Sequence, residues 1–329
     1  MKAKTQKAAK NLGKVSVKVQ DLMKKYPPVF ENSVKKEYFE KAAFCHRKQK
    51  GIVKISRWSF DTERKSPLDF EKHDLDIQNV SDFFSYEEGK EDEKIWWLNF
   101  ADENLFGYYG SDLFAQDEIQ TFEHPLLGSV MEYLDAEKIP EMPSKTKEKT
   151  RSTPYLIENI PYWIKVNVNP TLKNGEKGNI YGWKFSQSSR EDISCGISII
   201  ERDWKNNIIA MAAPCGGKGN YSQSELIRLM ETVLVAFGAA VKTANLERYT
   251  KTIIHTGNWG CGAFGNNKEL IYLSQIIAAS LVGVDTLIFH GADSDILEEA
   301  KNKFHIFQEK NLILFLENQN YRWENSDGN

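Results

Sequence analysis

At 329 residues, with 41% hydrophobic, 12% aromatic and 27% charged side chains, the chain is too apolar to remain disordered and long enough to bury a sizeable core. Four scattered cysteines (Cys45, Cys195, Cys215, Cys261) with no CxxC pair exclude a disulfide-stapled scaffold and a zinc ribbon, and read as free thiols in a reducing cytosol. A net charge of −3 excludes an electrostatic nucleic-acid binder, and no apolar run reaches the roughly 18–20 residues of a membrane span.

Met1–Lys25 is rich in lysine, carries no acidic residue before Asp21 and lacks the apolar segment of a secretory signal. It reads as a solvated helix; a transit peptide or a contact with an anionic surface stays open. Tyr38–Lys50 reads as helix and Gly51–Arg57 as a short strand. Arg64–Lys94 is acidic and reads as an irregular surface excursion. Ile95–Ala101 (IWWLNFA) is an apolar strand, and Asp102–Ser111 a loop. Ser111 or Asp112 is placed to cap a helix that runs to about Glu123. Ile139–Pro154, with three prolines and many charges, reads as a loop or insertion. Ile160–Lys184 reads as a hairpin that turns at Asn174-Gly175.

Asn207–Ala213 is a second apolar strand. Ser222 and Glu225 form a capping box for a helix to about Ala244. Strand Thr252–Thr256, a glycine loop over 257–265, a helix capped at Asn266, strand Asp285–Phe289 and a helix from Ser294 follow. Glu317–Asn329 is polar and reads as loosely ordered. Alternating strands and helices indicate an α/β sandwich with a mixed sheet. The domain reading is an N-terminal helical extension over 1–50 and one α/β domain over 51–329, with an insertion around 139–154.

Two segments carry chemistry. In the first, Gly257, Gly260, Gly262 and Gly265 fall in nine residues between a strand and a helix. Glycines let backbone approach a ligand, and successive N–H groups beside a helix N-terminus attract an anion. No Gly-Lys-Ser/Thr follows, so this is not a Walker A loop. A tight strand–helix turn anchored by Trp259 and Phe264 is the structural alternative, and the weaker cluster CGGKG at 215–219 reads as a loop, with a phosphate contact from Lys218 left open as the lesser alternative. In the second segment, Phe114, Glu118 and Phe122 are spaced to share one helix face. A carboxyl between two phenylalanines is partly desolvated, which raises its pKa. Asp117 and Asp102 add like charge. A Glu of raised pKa beside ionised partners fits a general acid of glycosidic chemistry. The alternative is an ordinary solvated acidic pair on an amphipathic helix.

Together the two segments resemble a known family. HTGNWGCGAFG closely resembles the TGNWGCGAFGG signature of the poly(ADP-ribose) glycohydrolases, a macrodomain branch. NFADENLFGYYGSDLFAQDEIQTFEHPLL resembles that family's catalytic segment: a strand ending DFAN, a triple-glycine loop and QEE on a helix. Weaker similarity in GIVKISR and IYGWKF extends the resemblance over roughly Tyr38–Ala300. It implies a macrodomain-like α/β/α sandwich with a mixed central sheet. It also implies a hydrolase that cleaves the ribose anomeric bond of ADP-ribosylated protein or poly(ADP-ribose) without cofactor or metal.

By position, Glu118 falls on the family's catalytic second glutamate, Asp117 on the first, and Asp102 on a ribose-contacting asparagine. Gln116 opens the QEE-like triplet. Gly107 is the survivor of the triple glycine. Asn258, Gly260, Gly262, Ala263 and Phe264 fall on the diphosphate loop. Trp183 falls on an adenine-stacking tyrosine, and Phe289 (or His290, one register on) on a nucleoside-pocket phenylalanine. The implied partner is ADP-ribose or an ADP-ribosylated protein, with no membrane or direct nucleic-acid contact and an unassigned oligomeric state. The implied location is cytoplasmic, or a host cytosol for a delivered bacterial effector. Two lost glycines, Asp for Asn at 102 and Asp for Glu at 117 depart from the pattern at the distal-ribose end and spare the phosphate loop. They leave open an ADP-ribose reader without hydrolysis, a hydrolase restricted to mono-ADP-ribosylated (including arginine-linked) protein, and, outside this class, a nucleotide-sensing scaffold.

Overall fold

The computed structural model describes residues 9–61, 72–307 and 311–328. The chain runs through β1 (Ala9–Lys18), α1 (Val19–Lys25), α2 (Ser33–Cys45), β2 (Ile52–Phe60), β3 (Asp76–Val80) and β4 (Glu93–Ala101). Next come α3 (Gln116–Glu123), α4 (Leu126–Glu137), β5 (Lys147–Glu148), β6 (Arg151–Ser152), β7 (Tyr155–Pro161) and β8 (Ile164–Val166). Then follow α5 (Lys184–Gln187), α6 (Arg190–Gly196), β9 (Ile197–Ile199), β10 (Lys205–Ala212) and α7 (Gln223–Leu246). The order closes with β11 (Lys251–Gly257), α8 (Lys268–Val282), β12 (Thr286–His290), α9 (Ser294–Ile306) and α10 (Leu312–Glu317).

Eight strands form one sheet in the order β1-β2-β7-β10-β4-β11-β12-β3. From β10 to β3 the pairs are parallel, and from β1 to β10 they are antiparallel. The sheet is therefore mixed and the fold is α/β. Its centre is β4, whose near-continuous apolar run suits a strand covered on both faces. Side chains alternate across it. Trp96 and Leu98 join the core under α7, α8 and α9, whereas Ile95 and Trp97 join a second core under α1, α2, α3 and α4. Two cores on opposite faces make the sandwich.

The carboxyl ends of β4, β11 and β12 lie side by side, and each opens into a loop: 102–115, 258–267 and 291–293. In an open α/β sheet that edge is where ligands bind. The helices that pack against these strands are fixed by their caps. Asn267 Oδ1 accepts from Leu270 N at 3.0 Å to start α8. Glu225 accepts from Ser222 N at 2.7 Å, the capping box expected for α7.

Several expectations are corrected. Ala9–Lys18, read as solvated helix within a helical extension over 1–50, is an edge strand paired with β2. Its Val15 and Val17 alternate with polar residues, and that period of two outweighs the charge. Residues 1–8 lie outside the described ones. The excursion at 64–94 contains β3, a mostly exposed strand at the other edge, where polar side chains are tolerated; residues 62–71 of that stretch also lie outside the described ones. The Asn174-Gly175 turn forms, with Gly175 at φ +86°, but it carries one isolated bridge, Thr171 to Lys177. β8 pairs instead with β9. The 139–154 segment is not a free loop: Met142, Thr146 and Thr153 are buried, and Arg57 donates to Glu141 O at 3.2 Å and Thr153 Oγ1 at 2.8 Å. Residues 321–328 are docked rather than loose, with Trp323 stacked on Tyr221 at 4.4 Å.

Candidate active site

One cavity of about 530 Å³ opens at the carboxyl edge of the sheet. Asp102, Gln116, Asp117 and Glu118 line it from the loop after β4 and from α3; Asn258, Gly260, Gly262, Ala263 and Phe264 line it from the loop after β11. The two segments, far apart in sequence, thus share one wall-to-wall space, as adjacent parallel strands require.

The glycine loop is held from behind. Gly260 adopts φ +71°, and a Cβ there would lie 2.3 Å from Ala213 Cβ. Asn266, fully buried, donates to Gly260 O at 2.9 Å and Pro214 O at 2.7 Å and accepts from Tyr221 at 3.1 Å. Trp259 is buried with its indole N–H on Met211 O at 3.0 Å. Asn258 spends its amide on Gly291 O and its carbonyl oxygen on the Tyr272 hydroxyl. Both ends of that side chain are engaged, so its place in the cavity wall is that of a brace between the loops after β11 and β12. Lys268, first residue of α8, adds a cation to the same wall.

The carboxylates sit at the start of α3. This helix begins at Gln116, past the caps expected at Ser111 or Asp112, because Glu118 reaches back to accept from Ala115 N at 3.1 Å. Gln116 ties the helix to β4 by accepting from Phe100 N at 2.8 Å and donating to Leu98 O at 3.0 Å. Phe114 and Phe122 are fully buried and meet at 5.6 Å beside Glu118, which is 3% exposed. Burial raises the Glu118 pKa above the usual carboxylate range, against the lowering effect of backbone N–H groups and Lys35. Burial and the Glu118 charge raise Asp117 further, although Asn99 donates to it at 3.0 Å. Asp102 is half-buried and accepts from Asn104 N at 3.0 Å.

Lys35, which no sequence pattern singles out, completes the electrostatics. It is fully buried on α2 and donates to Tyr109 O at 3.1 Å and Leu113 O at 2.7 Å, so it pins the 102–115 loop. Burial lowers its pKa to about 8, opposed by the charges of Glu118, Asp112 and Asp117.

Residues 179–299 match the family model described as poly(ADP-ribose) glycohydrolase, macro domain fold. Over that segment, which is less than half of the chain, the sequence is similar to the poly(ADP-ribose) glycohydrolases. Solved structures of two such enzymes are similar to it. The glycohydrolase of Thermomonospora curvata is 13% identical with a TM-score of 0.38, covering 79% of this chain and 83% of that one. The enzyme of Deinococcus radiodurans in complex with ADP-ribose is 14% identical with a TM-score of 0.41, covering 70% and 85%. The segment matched to the glycohydrolase model includes the glycine loop, and α3 lies N-terminal to it.

Three residues that the glycohydrolase resemblance singles out do not line the cavity. Trp183 is about half exposed and its indole N–H donates to Gly328 O at 3.2 Å; Tyr181, two residues earlier, lines the cavity beside Phe83 at 5.8 Å. Phe289 is buried in the core under α8, and His290 takes the cavity wall. Gly107 gives way to Tyr108, which lines the cavity, while Phe106 is buried with φ +55°. In each case a residue one or two positions away lines the cavity instead. The pleat of a strand or the turn of a loop decides that, and a single sequence does not show it.

Glu123, at the end of α3, is the third carboxyl that this helix gives to the wall. It accepts from Tyr86 at 2.9 Å and Val166 N at 3.1 Å, and burial pushes it up to about 8. A folded pKa above the unfolded one gives stability that is full below about 4.5 and lost as pH rises through 8. Thermal melts of Glu123→Gln against wild type between pH 4 and 9 are expected to show the variant gaining relative stability with rising pH. A pH-independent difference would contradict the burial argument. Among the described residues, no three His, Cys, Asp or Glu side chains are grouped to hold a metal ion, and no helix is long and apolar enough to cross a membrane.

Proposed function

We propose that the chain is an ADP-ribosyl glycohydrolase that cleaves at the ribose anomeric carbon, with Glu118 as general acid and base. The observation that carries this reading is the cavity shared by a buried, protonatable Glu118 and a braced glycine loop. The loop 258–265 and Lys268 hold the diphosphate, which positions the scissile bond without entering the chemistry. Tyr181 and Phe83 supply the aromatic wall for the base. As the bond between the anomeric carbon and the acceptor breaks, Glu118 gives its proton to the departing oxygen or nitrogen. It then takes a proton from the water that attacks the oxocarbenium-like carbon. Asp117 and Asp102 orient that water or the ribose hydroxyls.

A second reading within the class, hydrolysis confined to mono-ADP-ribosylarginine, is favoured by Asp102. Its carboxylate lines the cavity partly exposed, where a guanidinium leaving group would find an acceptor. Parallel incubation with poly(ADP-ribose), ester-linked and arginine-linked mono-ADP-ribosylated protein, reading free ADP-ribose, tests both. Release from at least one substrate is expected. Tight ADP-ribose binding with no release from any of them would make the protein a reader instead.

A further inference from the structure

We propose that the 323–328 segment is an autoinhibitory strap whose Asp327 carboxylate holds the anion position of the glycine loop until a diphosphate displaces it. The inference rests on the reading that this loop takes an anionic ligand.

The strap is clasped at both ends. At one end Trp323 stacks on Tyr221 at 4.4 Å and its backbone N–H donates to Gly219 O at 2.9 Å. At the other, Gly328 O accepts from the Trp183 indole at 3.2 Å. The polar edge of Trp183, a half-exposed residue outside the cavity, is thus engaged by the strap. Between the clasps the chain runs along the loop, with Glu324 N donating to Gly265 O at 2.9 Å and Asp327 N to Gly262 O at 3.4 Å.

The strap presents acid to the surface that should attract phosphate. Glu324 Oε1 accepts from Asn267 Nδ2 at 3.0 Å and Lys268 N at 3.3 Å, at the start of the 15-residue α8. Asp327 lines the cavity itself, and its Oδ2 lies 2.9 Å from where a Cβ on Gly262 would stand. Gly262 thus has no side chain where the carboxylate rests. Tyr181 lines the same cavity, so the carboxylate sits in the space that this ring and the loop share. A helix N-terminus and successive loop N–H groups do not distinguish a carboxylate from a phosphate oxygen. A diphosphate in this place meets Asp327 as a like charge, and the two exclude each other.

The clasps suit an exchangeable element. Residues 324–328 are exposed, and Glu324 and Asp327 meet the loop through hydrogen bonds at its surface. The apparent dissociation constant of a ligand is its intrinsic value divided by the open fraction. A strap closed roughly 80–90% of the time therefore weakens binding about 5–10-fold.

The test is calorimetric titration of wild type, Asp327→Asn and Asp327→Glu with ADP-ribose and, separately, with inorganic pyrophosphate. Hydrogen exchange at the backbone amides of Glu324 and Asp327 accompanies each titration. Asp327→Asn is expected to bind both ligands roughly 5–10-fold tighter than wild type, and Asp327→Glu to stay near wild type. Ligand is expected to speed exchange at both amides. Equal or weaker pyrophosphate binding by Asp327→Asn, or amides that stay protected when ligand is bound, would overturn the strap. If Asp327→Asn gains pyrophosphate affinity while neither protein binds ADP-ribose, the strap stands and the proposed function falls.

Discussion

Glu118→Gln is expected to lower ADP-ribose release by roughly 10²–10⁴-fold while leaving ADP-ribose affinity within a few-fold. The amide keeps an oxygen that can accept from Ala115 N, the bond that starts α3, so the fold around the site persists. What it loses is the transferable proton. The wild-type carboxyl holds that proton above the ordinary carboxylate range because it is buried. The wild-type rate should therefore fall as pH rises through this raised pKa, and the residual rate of the variant should lack that limb. Rapid-quench turnover and calorimetric binding on the same preparations separate the two effects. Wild-type turnover in the variant would remove Glu118 from the reaction.

Gly260→Val is expected to abolish measurable ADP-ribose binding and to lower the melting temperature. A β-branched residue at φ +71° carries about 1–3 kcal/mol of backbone strain. Its Cβ would also lie 2.3 Å from Ala213 Cβ and 2.9 Å from Asn266 Nδ2, displacing the amide that staples the loop. Gly216→Val is the matched control, since Gly216 has φ +75° with nothing within 4 Å of its Cβ position. It should show the strain in a melt and little loss of binding. Equal loss of binding in both variants would mean that the loop is not held in the way described.

The parts of the fold with strong local patterns were legible in the sequence. IWWLNFA reads as an apolar strand, which β4 is, and Ser222 with Glu225 marks the start of α7 to the residue. The glycine spacing after β11 was legible for the same reason: few backbones other than a tight turn need it. The edge strands were not legible. β1 and β3 are half solvated, so their polar residues imitate a loop or a frayed helix. In the site, the loop and the α3 carboxylates could be read because each is contiguous. Lys35 could not, because a lysine becomes informative only when carbonyls from Tyr109 and Leu113 converge on it. Tyr181 was displaced by its neighbour Trp183, whose larger ring is the more conspicuous in sequence but faces Gly328.

The most direct test of the account is a crystal structure of the Glu118→Gln variant with ADP-ribose. The diphosphate is expected against the 258–265 loop, with the substituted side chain within hydrogen-bond reach of the oxygen on the ribose anomeric carbon. ADP-ribose bound elsewhere, or bound here with that carbon turned away from position 118, would contradict it.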